Sequence, residues 1–154
     1  MSKLGYLMCV LVVLAVVAVL YYLYASLSLP LGFYYQTEHV TVFNQSQVCT
    51  GCTGTSEDVW VASTLKQQNT GMMNRYSFEG EYGMLFVYQS QQQLCFWMEN
   101  TPIPMRQVWI NQSGYVTAVY NATPYNTTPV CSYGTYVLEM PENENIGIGY
   151  RIII

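Results

Sequence analysis

Charge is what this chain has least of. Asp, Glu, Lys and Arg make up 9% of its 154 residues, against roughly a quarter in an ordinary soluble domain. The bases are fewer than the acids, five against nine, and they nowhere form a cluster. A nucleic-acid groove needs concentrated positive potential, so nucleic acid is the first partner class to be excluded. Histidine is scarcer still. His39 is the only one, and it reads as a solvated residue beside a linker rather than as a metal ligand or catalytic base. No internal repeat and no long disordered tail is present.

The shortage of charge is partly local. From Leu4 to Thr37 there is no formally charged side chain, and most of the stretch is apolar or tyrosyl. A helix of about 20 residues, rising about 1.5 Å each, crosses the roughly 30 Å hydrocarbon layer of a bilayer. Residues 4–27 are therefore expected to be a membrane-spanning helix. Tyr21, Tyr22 and Tyr24 suit the interface at its outer end, where a phenol buries its ring and hydrates its hydroxyl. Lys3 assigns the amino terminus to the inside, and Pro30 and Gly32 end the helix. An uncleaved anchor is favoured over a signal peptide. The run exceeds the usual signal core of about 7–15 residues, and no clean Ala-x-Ala ending follows it. The expected order is an anchor over residues 1–29, a stalk or accessory strand and loop over 30–56, and a mainly β domain over 57–154. That places the C-terminal domain outside the cytoplasm, at the cell membrane.

Two compositional features agree with an outer location. Asn44, Asn111, Asn121 and Asn126 each open an N-x-Ser/Thr glycosylation sequon with no proline in the middle. Cys9 falls in the apolar run as a small filler. Cys49, Cys52, Cys95 and Cys131 remain, an even number that favours two disulfides with three possible connectivities. A redox Cys-x-x-Cys pair and a four-cysteine zinc site stay open as alternatives.

The outer region reads as short strands separated by turn-forming residues. Strand candidates are TEHVTVFNQ, VWVAS, GMLFVYQ, LCFWM, RQVWI, YVTAVY, TYVLEM and IGIGYRI, punctuated by QSQQQ, NTPIP, NQSG and NATPYNTTP. Thr64 and Gln67 have the spacing of a capping box, so one short helix is expected from Leu65 to Asn69, ended by Gly71. The fold class is thus mainly β, a compact barrel or sandwich of short strands with one short helix.

Read in order, these elements resemble the family called domain of unknown function 192. The resemblance rests on Gly71-Met72-Met73-x-Arg75, Gly83-Met84-Leu85-Phe86-Val87, Phe96-Trp97-Met98-Glu99-Asn100-Thr101, Ile103-Pro104-Met105 and Tyr136-Val137-Leu138-Glu139. It implies a compact, mainly β domain and assigns no biochemistry. Two departures stand out. The family commonly has Lys at the position of Glu99 and Asp at that of Arg106, so both signs are reversed here. A double reversal preserves attraction between facing side chains, which makes an ion pair between Glu99 and Arg106 the expectation; two independent surface changes are the alternative.

The candidate site collects Arg75, Trp97, Glu99, Asn100, Thr101, Arg106 and Glu139. Trp97 would stack on a ring or else fill the core. Asn100 would supply a donor and an acceptor or else settle a turn, and Arg75 would hold a carboxylate through two parallel bonds. Met72, Met73, Met84, Met98 and Met105 read as core filler in preference to thioether ligands for copper. No cofactor is expected. The favoured reading is a membrane-tethered module that binds a small ligand or a protein partner. The alternatives are a structural cell-surface component and a hydrolase in which carboxylates such as Glu99 and Glu139 converge.

Overall fold

The computed structural model describes residues 17–19, 35–43 and 54–154. The chain divides into two units, Met1–Tyr34 and Tyr35–Ile154. In the first, Val17, Ala18 and Val19 are helical. Among the described residues no helix is long and apolar enough to cross a membrane. The rest of the expected anchor, together with Asn44, Cys49 and Cys52, lies outside the described residues.

The described residues of the second unit form seven strands and one short helix. They are β1 (Gln36–Phe43), β2 (Thr55–Ala62), α1 (Leu65–Thr70), β3 (Gly83–Phe96), β4 (Met105–Ile110), β5 (Val116–Ala122), β6 (Val130–Pro141) and β7 (Arg151–Ile153). All seven strands form one sheet in the order β5-β4-β6-β3-β2-β1-β7. β1, drawn from the 30–56 stretch, is hydrogen-bonded to β2 on one side and to β7 on the other. Only β2 and β3 run parallel. A parallel pair needs a crossover, and α1 with the loop after it supplies that connection.

Two strand assignments from the sequence need correction. GMLFVYQ and LCFWM are a single strand, β3, because the intervening glutamines keep pairing with β6: Gln92 faces Gly134 and Gln93 faces Tyr133. The register shifts between Val87 and Gln92, so polar residues there are taken up by a bulge instead of a turn. IGIGYRI is mostly irregular with one turn; only Arg151 and Ile152 of it are strand, since Gly149 takes a φ of 86° and Tyr150 N donates back to Gly147 O.

The sheet curls until its two ends meet, as a partial barrel rather than a sandwich. Tyr115 bridges to Arg151, and Ile152 N donates to Gly114 O at 2.8 Å. Gly114 is required there. Its φ is +82°, and a Cβ would come within 2.4 Å of the Ile152 carbonyl oxygen. The concave face gathers Val40, Val59, Leu85, Val108, Ile110, Val116, Leu138, Met140 and Ile152, drawn from all seven strands. Because side chains alternate along a strand, the neighbours Met84, Phe86, Met105, Trp109 and Val137 project from the opposite face and form a second core with Met72, Phe78 and Met98. The helix and its following loop cover that second face.

Aromatic rings organise the second core. Phe86 meets Phe96 edge-on at 4.8 Å, Phe96 meets Trp109 at 5.8 Å, and Trp109 meets Tyr120 at 5.4 Å. Trp109 is fully buried, and its indole N–H donates to the Leu94 carbonyl at 3.0 Å.

Candidate functional site

The helix is locked at both ends, and this fixes one wall of the site. At the start, Gln67 N donates to Thr64 Oγ1 at 3.3 Å and Thr64 N donates to Gln67 Oε1 at 3.0 Å, the expected capping box. At the end, the Tyr35 hydroxyl lies 3.3 Å from the carbonyl oxygens of both Gln67 and Gly71. Gln68 crosses to the sheet, its side-chain amide donating to Val87 O at 2.7 Å.

Between this helix and β3 lies a cavity of about 400 Å³, lined by Gln68, Met72, Phe86, Tyr88, Trp97 and Glu139 among others. Glu139 is the single carboxylate in its lining. On β6 it takes its place in the alternation between the buried Leu138 and Met140, on the same face as Val137. The side chain is 4% exposed. Gln107, its direct neighbour on β4, donates to Glu139 Oε1 at 3.1 Å. No Lys, Arg or His among the described residues pairs with it. Oε2 has no hydrogen-bond donor among them either, and it sits 3.9 Å from where a Cβ on Gly71 would be. Burial pushes the Glu139 carboxyl up to about 7, and the Gln107 hydrogen bond only partly opposes this.

Gly71 keeps the cavity open. Its φ of +46° disfavours a side chain, and a Cβ would press to 3.1 Å from the Phe86 ring. Tyr88 enters from β3, with its hydroxyl raised in pKa by burial and then by Glu139. Trp97 stands at the rim, 48% exposed, and so is not a core residue.

Of the seven expected site residues, the cavity lining holds Trp97, Thr101 and Glu139. Arg75, Glu99, Asn100 and Arg106 do not line it. Arg75 lies over the Trp60 ring at 4.3 Å and pairs with Glu79 at 3.5 Å. Asn100 adopts a φ of 52°, and its carbonyl accepts from Asn74 N, so it shapes a turn. Asparagine tolerates that left-handed conformation better than most residues. Thr101 is buried, and its hydroxyl closes the same turn on Glu99 O at 3.1 Å.

The expected pair between Glu99 and Arg106 does not form. Arg106 lies on β4, one residue out of step with Gln107, and its Nη1 donates to the Ile146 carbonyl at 3.1 Å. Glu99 makes no ion pair among the described residues. Sequence reasoning missed Gln107, Gln68 and Tyr88. The alternation Met105, Gln107, Trp109 was the available signal for Gln107, since it puts a polar group among core positions on one face.

Cys95 and Cys131 are directly opposite on β3 and β6 and form a disulfide with a Cα–Cα distance of 4.0 Å. Neither sulfur is then a free thiolate, which removes the four-cysteine zinc alternative. His39 is exposed on β1 and pairs with Asp58 on β2. Asn111 Oδ1 accepts from Ser113 N and Tyr115 N, Asn121 is an exposed residue of β5, and Asn126 Oδ1 accepts from Thr128 N. None of the three lines the cavity. A larger depression of about 750 Å³ lies between Phe78, Ile103 and Pro141, but its polar lining residues, Ser77, Glu79, Glu142 and Asn143, are all exposed.

The family model for domain of unknown function 192, described as "Uncharacterized ACR", matches residues 47–151. The chain belongs to this family. Two solved structures are similar to this domain of unknown function 192. One is a candidate transcription regulator from Sinorhizobium meliloti 1021, with a TM-score of 0.69 and 25% identity, covering 77% of this chain and 94% of that one. Another is a protein of unknown function from Novosphingobium aromaticivorans DSM 12444, with a TM-score of 0.69 and 27% identity, covering 78% and 86%. No curated protein matches the chain. In this member of the family, the closing Glu of the YVLE element is the carboxylate at the cavity and the FWMENT element supplies the adjoining rim and turn.

Proposed function

We propose that this chain is a membrane-tethered, extracytoplasmic domain that binds a small ligand in the cavity at Glu139. One observation carries the reading: a carboxylate that is 4% exposed leaves one oxygen without a protein donor beside an open cavity. That oxygen is not among the fully enclosed polar atoms that lack a partner, so a donor that enters the cavity can reach it and replace its hydration. Ligand sites combine apolar and aromatic walls with a few placed polar groups, and Phe86, Tyr88, Phe96 and Trp97 supply such walls around Glu139.

A hydrolase would need a second carboxylate across the cleft. Glu139 has none in this cavity, which favours binding over reaction. A purely structural role is favoured by a filled interior, and the open volume argues against it. The Sinorhizobium meliloti relative is named as a transcription regulator; for this chain, direct contact with nucleic acid is disfavoured by the formal charge of −4. The tether rests on the apolar run at residues 4–27, and the disulfide supports an oxidising compartment.

Methyl NMR of the full chain, carrying ¹³C-methyl methionine in lipid discs, tests the binding reading. A mixed set of small amines, acids, alcohols and sugars is titrated in. Saturable shifts of the Met72 and Met73 methyls with Met140 unmoved support the reading; no such shift from any probe overturns it. Resistance of the chain to carbonate extraction from membranes tests the tether, and release into the soluble fraction overturns that part.

A further inference from the structure

We infer that the cavity selects an amphipathic cation: a compact ammonium group seated on Glu139 Oε2, with a flat apolar body against Phe86, Tyr88, Phe96 and Trp97. This deepens the binding reading above and rests on it. The described residues provide Glu139 with a single neutral donor, Gln107, on Oε1. Oε2 therefore remains as an acceptor site, and among the described residues no cation neutralises it. A charged N–H donor gives a shorter and stronger bond to a carboxylate than a neutral one. An anion would meet a buried carboxylate of like sign, and the formal charge of −4 also favours the approach of cations.

The walls define the rest of the ligand. Phe86, Phe96 and Tyr88 present ring surface, and Trp97 adds a half-exposed indole at the mouth. Indole attracts a nearby cation through its negative face and covers a flat apolar body equally well. A cavity of about 400 Å³ is at the small end of ligand sites, suited to a single-ring amine and not to a peptide or oligosaccharide.

The pH dependence follows from what faces Glu139. Tyr88 from β3 and Tyr35 ahead of β1 are both raised in pKa, chiefly by burial, and stay neutral near pH 7. Gln107 on β4 does not titrate, and the Arg75 guanidinium lies 5.3 Å from the Tyr35 ring centroid, engaged with aromatic surface. Glu139 is then the group whose ionisation controls amine binding around neutrality.

The test uses isosteric probes on the full chain in lipid discs: 2-phenylethylamine, 2-phenylethanol and 3-phenylpropionate, read by the Met72 and Met73 methyls at pH 8. The amine is expected to bind at least about tenfold more tightly than the alcohol or the acid. Its affinity should fall about tenfold between pH 8 and pH 6, in step with the ionised fraction of Glu139. Glu139→Gln should remove both the preference and the pH dependence. Equal or tighter binding of the alcohol or acid, or amine binding that is unchanged between pH 8 and pH 6, overturns the inference. Alcohol binding alone would overturn the cation preference while leaving the cavity reading intact; silence from every class in the wider probe set would overturn both. The pH comparison uses the wild-type chain and so decides the question even if Glu139→Gln fails to fold.

Discussion

Gln107 and Glu139 face each other across β4 and β6, and the single bond between them, 3.1 Å from Nε2 to Oε1, is the only one the carboxylate receives among the described residues. The pairing shows how a charge-bearing residue comes to stand in an apolar layer. One oxygen is satisfied within the sheet, and the other faces the cavity. Stability and proton binding are coupled through this one side chain.

That coupling sets the sign of a pH effect. The Glu139 carboxyl rises from 4.5 in the unfolded chain to about 7 in the fold. Between those values the native state holds more protons than the unfolded one, so stability falls as pH rises through this window. The stability associated with the neutral carboxyl is fully present below about 4.5 and is gone above about 7. The loss amounts to about 3 kcal/mol. Glu139→Gln should abolish this component, giving a variant more stable than wild type at pH 8 by up to that amount and near parity at pH 4.5. Urea denaturation followed by circular dichroism at both pH values measures it; an unchanged pH slope in the variant would contradict the assignment.

The helix wall depends on its first turn. Thr64→Ala removes the hydroxyl that accepts from Gln67 N and should cost about 1 kcal/mol. The six-residue helix is too short to persist without its caps and its docking. Hydrogen exchange should therefore quicken at Gln68 and Gly71 while the β4 amides keep their protection.

Strand and turn existence was largely legible in the chain. GMLFV, RQVWI and YVLEM alternate or run apolar as their paired strands require, and the Thr64/Gln67 spacing announced the capping box. The glutamine run after Tyr88 misled because its polarity resembles a turn, whereas its backbone continues to pair with Gly134 and Tyr133. Trp97, Thr101 and Glu139 were legible through the family elements that contain them. Arg75 and Arg106 were not excluded by sequence, since a cation's partner is set by tertiary placement: a ring surface for the first and a carbonyl for the second. Closure at Tyr115 and Arg151 depends on sheet curvature, which no local pattern encodes.

The Cys95–Cys131 disulfide closes a loop with a sequence separation of 36 residues. Constraining a loop of that length in the unfolded chain contributes about 3–4 kcal/mol. The double substitution Cys95→Ser with Cys131→Ser should lower stability by about that amount, and wild type under reducing conditions should match it. Intact mass before and after reduction checks that the bond is present.

Trp109 joins β4 to β3 through its indole. Trp109→Phe withdraws the donor from the Leu94 carbonyl and leaves unfilled volume beside Phe96, at a cost of about 2–4 kcal/mol. Tyr120→Phe keeps the ring that meets Trp109 edge-on and should change stability by under about 0.5 kcal/mol. Equal losses from both variants would refute the role given to the indole N–H.

The proposed site depends on Glu139 being a buried carboxylate with no charged partner among the described residues of the protein. Its side-chain ¹³Cδ resonance, assigned by comparison with Glu139→Gln and followed from pH 3 to pH 9 in the unliganded full chain, tests this most directly. A midpoint near 7 is the predicted result. A midpoint at or below about 4.5 would mean that the carboxylate is hydrated or already paired, and would contradict the account.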